Sequence, residues 1–315
     1  MPPRLSTPSA ISNPPPSSIV FDGNDYSLAS TFHGGFSPVG LYTPPKGTPL
    51  RDIAVKYFNT TVPTLPTIAR DAFAVWNEVR GPLLRAGFPD YFACNPDHQV
   101  TEFAHGVDVG TLADYNDGLY IKEIRSLLLS VIPHIGAMME NGVVHADIKP
   151  ANIIVDVKAL RTSSDWKTKI IDPDTMRRTG FMTDRLFGTP YFMPPEVVRG
   201  GYHRATDAFS LAMTAVNLLS SPRYVHSLDN KIMYGVAKKN PKATLIARSF
   251  NFVFVANART QTESALAALT ADCRHELKQV LDFIFLCGDP NPDVRPRSEI
   301  EMTQILTTKP NRIEI

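Results

Sequence analysis

One long amphipathic segment in the middle of the chain limits the possible folds more than any other feature. Between residues 120 and 141, apolar side chains recur at spacings of three and four residues. This period predicts a helix that buries one face against other elements. Two short apolar runs, Ile153–Val155 and Lys169–Ile171, follow the helix and predict short strands. The fold therefore has to combine a long buried helix with short strands.

The two ends of the chain have unlike patterns. From Tyr26 to Phe58 the sequence alternates like strands separated by turn residues, and residues 66–86 then have a helical period. Beyond Asp207 the predicted elements are mostly helices. We therefore predict an α+β fold, with a small β-rich N-lobe that carries one main helix and a larger, mostly helical C-lobe.

The first residues of the chain are rich in proline and serine and poor in apolar side chains. Such a segment buries too little apolar surface to offset the entropy that it loses on ordering. We predict a disordered leader at residues 1–25, an N-lobe at 26–104 and a C-lobe at 105–315. Pro-rich segments also favour extended conformations that partners recognise, so a regulatory partner that binds the leader is a second interpretation.

Composition excludes several classes of protein. The chain has 32 basic and 31 acidic residues, and this balance argues against a globally basic nucleic-acid binder. No apolar run is long enough to predict a membrane span. Three cysteines without a CxxC pair predict neither a disulfide framework nor a cysteine zinc site. They favour a reducing compartment, so we expect a cytoplasmic protein.

The clearest chemical signal lies at 144–152, where the sequence VHADIKPAN follows the amphipathic helix. Asp147 can accept a hydroxyl proton, Lys149 can neutralise a phosphoryl group, and Asn152 can bind a divalent metal ion through its amide oxygen. Asp172, which follows the second apolar run, offers a carboxylate to the same metal ion. Phosphoryl transfer needs this combination, because its catalysis depends on positioning and on charge stabilisation.

The order of these residues resembles the eukaryotic-type protein kinase family. HADIKPAN resembles the family's HRDxKxxN catalytic loop, and Asp172 corresponds to the metal-binding Asp of its DFG motif. The resemblance implies a bilobal protein-kinase-like fold, ATP and Mg²⁺ as cofactors, and protein substrates. It assigns Asp147 and Lys149 to catalysis and Asn152 and Asp172 to the metal ion.

Three later motifs agree with this resemblance in type and order. The sequence GTPYFMPPE at 188–196 resembles the end of an activation segment, in which Thr189 supports the catalytic Asp and Glu196 is structural. Asp207 resembles the Asp of a DxWSLG motif. Arg295 resembles the Arg of a DPxxRP motif, which pairs with the Glu at 196. In this family, Lys149 together with Thr189 favours Ser/Thr over Tyr substrates.

The N-lobe carries the residues that the resemblance assigns to the nucleotide. The sequence IAVK at 53–56 resembles the family's VAIK, so Lys56 is expected to hold the α- and β-phosphates, with Glu78 as its helix partner. The backbone at Glu102 and Ala104 is expected to meet adenine, and Asp108 to reach the ribose. The expected ATP-binding residues are Lys56, Glu78, Gly34, Val39, Ala54, Glu102, Ala104 and Asp108.

The glycine-rich loop of the family is only partly retained. Gly34, Phe36 and Val39 match the pattern GxGxFGxV, whereas Phe32 and Ser37 stand in place of its first and third glycines. Because glycines let backbone N–H groups approach phosphates closely, this loop is expected to bind the nucleotide less tightly or in a fixed shape.

Two further departures bear on activity. Ala146 stands where the family has the Arg that reads a phosphate on the activation segment, so we predict a non-RD kinase that does not depend on that phosphorylation. Pro173 and Asp174 replace the Phe and Gly of DFG.

Three functions stay open at this point. The first is an active Ser/Thr protein kinase. The second is a pseudokinase that acts as a scaffold or an allosteric partner, and the third is a small-molecule phosphotransferase of the aminoglycoside- and choline-kinase type. An exported effector that acts in a host cytoplasm would have the same sequence features as an endogenous enzyme.

Overall fold

The computed structural model describes residues 14–33, 37–59, 62, 64–115, 119–156, 166–183, 187–219 and 271–308. The chain divides into two compact units. The first comprises Met1–Glu78 and Pro89–Ala104, and the second comprises Val79–Phe88 and His105–Ile315.

The first unit is built on one antiparallel sheet with the strand order β1-β2-β3-β4-β6-β5. Its strands are β1 (Ser18–Phe21), β2 (Asn24–His33), β3 (Pro38–Thr43), β4 (Ile53–Tyr57), β5 (Tyr91–Cys94) and β6 (His98–Glu102). One face of the sheet buries an apolar cluster of Tyr26, Tyr42, Ile53, Val55 and Val100.

Helix α1 (Leu65–Arg85) packs on the other face of this sheet. The Tyr91 hydroxyl lies 3.4 Å from the Ala69 carbonyl and 2.8 Å from Gln99 Oε1, which joins the helix to β5 and β6. Pro82 lies inside α1, where a proline commonly ends or kinks a helix, yet α1 continues to Arg85. A single proline removes one backbone donor, and packing of the fully buried Leu83 beside it holds the last turn.

The hairpin of β1 and β2 differs from the sequence analysis, which assigned residues 18–25 to a disordered leader. Ser18–Phe21 pairs with β2 instead. Phe21 packs against Tyr26 and Phe92, with ring centroids 6.3 and 5.7 Å apart, and the Tyr42 hydroxyl donates to the Pro16 carbonyl at 2.9 Å. These contacts with a distant strand order a segment whose local composition predicts disorder.

The second unit is mostly helical. Its helices are α2 (Val109–Tyr115), α3 (Ile121–Glu140), α4 (Pro195–Val198), α5 (Thr206–Leu219), α6 (Ala271–Cys287) and α7 (Glu299–Thr307). Short strands lie beside them: β7 (Val107–Asp108), β8 (Val143–Val144), β9 (Ile153–Val155), β10 (Thr168–Ile170) and β11 (Arg177–Arg178). The strands form two small sheets, β10-β9-β7 and β11-β8. The segment 158–166, between the two predicted short strands, lies almost entirely outside the described residues.

Helix α3 is the predicted amphipathic helix and forms the centre of this unit. The Glu123 carboxylate accepts the Tyr120 N–H at 2.7 Å at its start, and Gly142 follows its end with a φ of 65°. Its buried face packs against α5, α6 and α7. The predicted α+β class, with a β-rich first part and a mostly helical second part, is confirmed. Among the described residues, none of the helices combines the length and apolar character needed to cross a bilayer.

One buried histidine of α3 makes the stability of this unit depend on pH. His134 is 5% exposed, its ring lies against Phe88, and neither ring nitrogen has a hydrogen-bond partner among the described residues. Burial lowers its pKa from 6.5 to about 4. The unfolded chain therefore takes up a proton at higher pH than the folded protein does, and stability falls as the pH drops below the unfolded value.

We expect the free energy of unfolding to fall by about 1 kcal/mol between about pH 7.5 and about pH 5.5 through His134 alone. Urea unfolding of the wild type and of His134→Leu at both pH values gives the change in the free energy of unfolding with pH for each protein. The difference between these two changes is the contribution of His134. Equal pH dependence in the two proteins would show that His134 is not the group responsible.

Candidate active site

The loop at 145–152 connects β8 to β9 and is held from below by a buried carboxylate. Asp207, in the first turn of α5, accepts the N–H of His145 at 2.7 Å and the N–H of Ala146 at 2.9 Å. Burial raises the pKa of Asp207, and the nearby His145 side chain and the N–H groups of His145 and Ala146 oppose that rise. Both carboxylate oxygens are thereby committed to the backbone of the loop.

This anchor lets the loop adopt a conformation that its sequence disfavours. Ala146 has a φ of 66°, in the left-handed region that residues other than glycine rarely adopt. Such a residue costs about 1–3 kcal/mol and persists only when its surroundings fix it. The two hydrogen bonds to Asp207 offset this cost and turn the next residue, Asp147, toward Lys149 and Thr189.

Asp147, Lys149 and Thr189 form a closed ring of three polar side chains. Lys149 Nζ donates to Asp147 Oδ2 at 2.7 Å and to Thr189 Oγ1 at 2.8 Å, and Thr189 Oγ1 donates to Asp147 Oδ1 at 2.7 Å. Asp147 is 9% exposed. The structure thus brings together the three residues that the sequence assigned to catalysis, with a cation beside the carboxylate.

Asn152 extends this ring toward the candidate metal ligands. Its amide nitrogen donates to the backbone oxygen of Asp147 at 2.9 Å and to Asp147 Oδ2 at 3.1 Å. These bonds fix which end of the amide is the nitrogen, and the oxygen is the end left to bind a cation. The Ile171 N–H donates to the Asn152 carbonyl at 2.9 Å, so Asp172 follows directly beside Asn152.

An amide oxygen and a carboxylate are ligands that suit Mg²⁺, so this pair fits the ion that the resemblance implies. The part of the chain that the structure describes holds no group of three or more His, Cys, Asp or Glu side chains able to bind a metal ion. Further oxygen ligands from phosphates or water would complete the coordination, as is common for Mg²⁺.

The conformation around Asp172 is fixed from two sides. Asp172 has a φ of 65° and a ψ of 60°, and the buried Pro173 begins a short 3-10 turn closed by the Met176 N–H on the Pro173 carbonyl. On the other side, His145 Nε2 lies 3.0 Å from the Ile171 carbonyl. Because a carbonyl only accepts, this nitrogen carries the proton. Asp174 is partly exposed in the same turn.

Thr189 reaches Asp147 because a glycine precedes it. Gly188 has a φ of 107°, and a Cβ atom there would lie 2.3 Å from the Ala146 carbonyl oxygen. Only a residue without a side chain allows the two backbones to approach this closely. The segment that carries Thr189 is therefore positioned directly against the loop that carries Asp147.

The segment is anchored at its far end by a buried ion pair. Arg295 Nη1 and Nη2 donate to Glu196 Oε1 and Oε2 at 2.6 and 2.8 Å, a bidentate geometry. Thr206 Oγ1 also donates to Glu196 Oε1 at 3.1 Å, and the Arg295 guanidinium lies 4.8 Å from the centre of the Phe209 ring. The pairing that the resemblance implied for Glu196 and Arg295 is present.

In the first unit, three residues expected to bind ATP share one face of the sheet. Val39 pairs with Lys56 across β3 and β4, and Leu41 pairs with Ala54, which in turn pairs with Thr101 of β6. Direct partners in antiparallel strands project to the same face. This is the face on which α1 packs, opposite the apolar cluster around Tyr42.

The other expected nucleotide contacts have mixed placements. The Glu102 side chain accepts from Arg51 at 2.9 Å and its N–H donates to the Asp90 carbonyl, while Ala104 is buried at the end of the unit. Asp108 accepts the Thr111 N–H at 2.9 Å at the start of α2. Gly34 lies outside the described residues.

Glu78 stands on the exposed side of α1. The buried side of this helix carries Ala69, Ala72, Trp76 and Leu83. At 100° per residue, Glu78 lies nearly opposite Trp76. Its expected pairing with Lys56 stays a prediction.

Sequence reasoning missed several residues that shape the site. No role was assigned to His145 from the sequence, yet its side chain links the loop to the strand before Asp172, and the Thr175 hydroxyl donates to the His145 carbonyl at 2.8 Å. Thr206 and Phe209 support the Glu196–Arg295 pair. The motif that begins at Asp207 was the available signal, since Phe209 belongs to it and Thr206 immediately precedes it. No local pattern indicated the role of His145.

The Glu196–Arg295 pair allows a matched test of buried against exposed charge. Glu196→Gln leaves the fully buried Arg295 guanidinium without its counter-charge, and we expect unfolding to become easier by about 3 kcal/mol. The Lys278–Asp282 pair has the same N–O distance of 2.6 Å but is about half exposed. Asp282→Asn is therefore expected to cost less than about 0.5 kcal/mol in the same denaturant titration. Similar losses in the two variants would refute this account.

Comparison with known proteins identifies the family. The family model described as "Protein kinase domain" matches residues 93–308. A protein of Acanthamoeba polyphaga mimivirus whose name gives it as a serine/threonine-protein kinase is 30% identical over 134 residues, which is 41% of this chain and 47% of its own length.

Two further relatives have the same kind of name. The serine/threonine-protein kinase ste20 of Emericella nidulans is 28% identical over 153 residues, 44% of this chain and 17% of its own length. The serine/threonine-protein kinase dst4 of Dictyostelium discoideum is 24% identical over 178 residues, 54% of this chain and 35% of its own length. The chain spans less than half the length of each of these three relatives. The family match covers more than half of this chain and contains the loop that holds Asp147, and the chain belongs to the protein kinase domain family.

Proposed function

We propose that the protein is a Ser/Thr protein kinase that transfers the γ-phosphoryl group of ATP to serine or threonine hydroxyls of other proteins. The closed ring of Asp147, Lys149 and Thr189 carries this proposal. It places a carboxylate able to take a proton beside a cation able to stabilise a phosphoryl group, which is the pairing that this reaction needs. The names of the three relatives support the Ser/Thr class.

In the proposed reaction, the substrate hydroxyl donates a hydrogen bond to the Asp147 carboxylate, which orients the oxygen for in-line attack on the γ-phosphorus. A bond forms between that oxygen and the γ-phosphorus, and the bond to the β,γ-bridging oxygen breaks, so that ADP leaves. The hydroxyl proton passes to Asp147. Lys149 stabilises the charge on the transferred group, and Thr189 holds the side chains of Asp147 and Lys149 in position.

The metal ligands of the proposal are Asn152 and Asp172. The Asn152 amide is held by two bonds to Asp147, so the metal-binding oxygen and the proton-accepting carboxylate have a fixed mutual geometry. A Mg²⁺ ion bound by these two residues would neutralise charge on the ATP phosphates. On the first unit, we propose that Lys56 holds the α- and β-phosphates, supported by Glu78 and by Gly34 of the loop. Val39 and Ala54 belong to the same nucleotide site, Glu102 and Ala104 bind the base through their backbone, and Asp108 binds the ribose.

Independence from activation-segment phosphorylation is part of the proposal. Ala146 is the residue before the Asp147 carboxylate, and its methyl side chain is 7% exposed and uncharged. It has no group that could bind a phosphate. The fixed contacts of Gly188 and Thr189 with the loop already hold the segment without one.

We propose protein substrates, and not nucleic acid, as the partners. The proposed location is the cytoplasm, either of the cell that makes the protein or of a host cell. A regulatory partner that binds the Pro/Ser-rich leader also stays a proposal. Most of that leader lies outside the described residues.

Phosphate transfer from labelled Mg-ATP to a basic test protein examines this proposal. The kinase is first treated with a phosphatase, which is then removed, so that activity does not depend on earlier phosphorylation. We expect transfer by the wild type and a loss of about 10²- to 10⁴-fold in Asp147→Asn, because the variant cannot take the hydroxyl proton. A nucleotide-induced rise in melting temperature should be retained by the variant.

Three results would replace the proposal. A wild type that shows the melting shift but transfers no phosphate would be a pseudokinase. Transfer to an aminoglycoside or to choline, with none to protein, would indicate a small-molecule phosphotransferase. Activity that disappears after phosphatase treatment would refute independence from phosphorylation.

Thr189 gives a narrower test of the ring. Thr189→Val keeps the shape of the side chain but leaves Asp147 Oδ1 and Lys149 Nζ each short of a partner, so kcat should fall by about 10- to 100-fold with little change in KM for ATP. Thr189→Ser should retain most of the activity. Thr179→Val is the matched control, because among the described residues the Thr179 hydroxyl donates only to the Gly142 carbonyl, at 3.3 Å. A loss in the control equal to that in Thr189→Val would assign the effect to the segment as a whole.

A further inference from the structure

Two aromatic rings of the first unit stack on each other outside its apolar cluster. The Phe32 and Phe103 rings have centroids 5.9 Å apart and planes inclined by 23°. Phe32 is 45% exposed, so the stack is not part of the buried core. An exposed ring that stacks on a second, partly buried ring forms a flat apolar surface that a ligand can contact.

The pairing of the strands places this stack on a particular face of the sheet. Phe32 pairs with Val39, and Val39 pairs with Lys56, so these three side chains project to one face. Phe103 continues β6 two residues beyond Thr101, and its N–H extends the ladder by donating to the Asp52 carbonyl at 2.9 Å. Alternation from Thr101 directs Phe103 to the same face.

The two rings belong to strands that are not neighbours. Phe32 lies on β2 and Phe103 follows β6, with β3 and β4 between them in the sheet. Because the two rings nevertheless touch, the stack spans the face that β3 and β4 form between them. The stack therefore lies on the face that carries Val39 and Ala54, which are proposed to bind the nucleotide.

We propose that Phe32 and Phe103 form an aromatic clamp for the purine base of the nucleotide. In the free protein the rings stack on each other, and on binding the base takes the place of one ring and stacks on Phe32. Every purine has a flat π-face, and stacking of a base on an aromatic side chain is favourable whatever its hydrogen-bonding edge. The clamp supplies contact area at a position where the glycine-rich loop lacks its first glycine.

This inference rests on the proposed nucleotide site but is tested by binding rather than by phosphate transfer. Calorimetry measures Kd for Mg-ATP, Mg-GTP and Mg-tripolyphosphate with the wild type, Phe32→Ala and Phe32→Trp. We expect Phe32→Ala to weaken ATP and GTP by about the same factor, about tenfold, and to leave tripolyphosphate unchanged, because only the base stacks. Phe32→Trp should bind both nucleotides within about twofold of the wild type.

Phe181→Ala is the matched control, since Phe181 is 42% exposed and belongs to the second unit. It should leave all three Kd values unchanged, and a melting curve of each variant checks its folding. Phe32→Ala that binds ATP as well as or better than the wild type would overturn the clamp, as would an equal loss for tripolyphosphate. A wild type that binds no nucleotide would also overturn it. Phe32-dependent ATP binding without any phosphate transfer would leave the clamp intact and refute only the proposed activity.

Discussion

The Asp207 carboxylate is the constraint on which the rest of the site depends. Its two hydrogen bonds hold the backbone of His145 and Ala146 in a turn that an alanine does not adopt unaided. From that turn, Asp147 is directed toward Lys149 and Thr189, and His145 toward the strand before Asp172. The same helical turn carries Thr206, which binds Glu196. The buried Asp207 carboxylate thus positions the catalytic loop, and the adjacent Thr206 supports the Glu196–Arg295 pair that anchors the segment carrying Thr189.

Local sequence was enough to predict the catalytic loop. Asp147, Lys149 and Asn152 lie within six residues of one another, so their proximity needs no tertiary information. Asp172 and Thr189 could be placed because the resemblance supplies their roles and order. The helix at 120–141 and the strands after it were also predictable, since a strong apolar period extends over the whole of α3.

Long-range pairing explains what the sequence did not predict. The β1–β2 hairpin is ordered by Phe92 and Tyr42, which lie far along the chain from Phe21 and Pro16. The left-handed Ala146 and the His145 bond to Ile171 exist only because a distant helix and strand meet the loop. The sequence showed Phe32 only as a replacement of the first glycine of the loop pattern, and its contact with Phe103 became visible only in the fold. In each case the deciding partner is remote in sequence, where propensity and period carry no information.

Pro173 has a consequence for small molecules. Its ring fixes one backbone torsion, and it opens a short turn immediately after Asp172. A compound that binds this turn in its present conformation requires little reorganisation of the backbone. A compound that needs a different conformation of the turn after Asp172 has to change the backbone around the φ torsion that the Pro173 ring fixes. This reorganisation lowers its affinity. The restricted backbone at Pro173 therefore contributes to the selectivity of this chain among inhibitors.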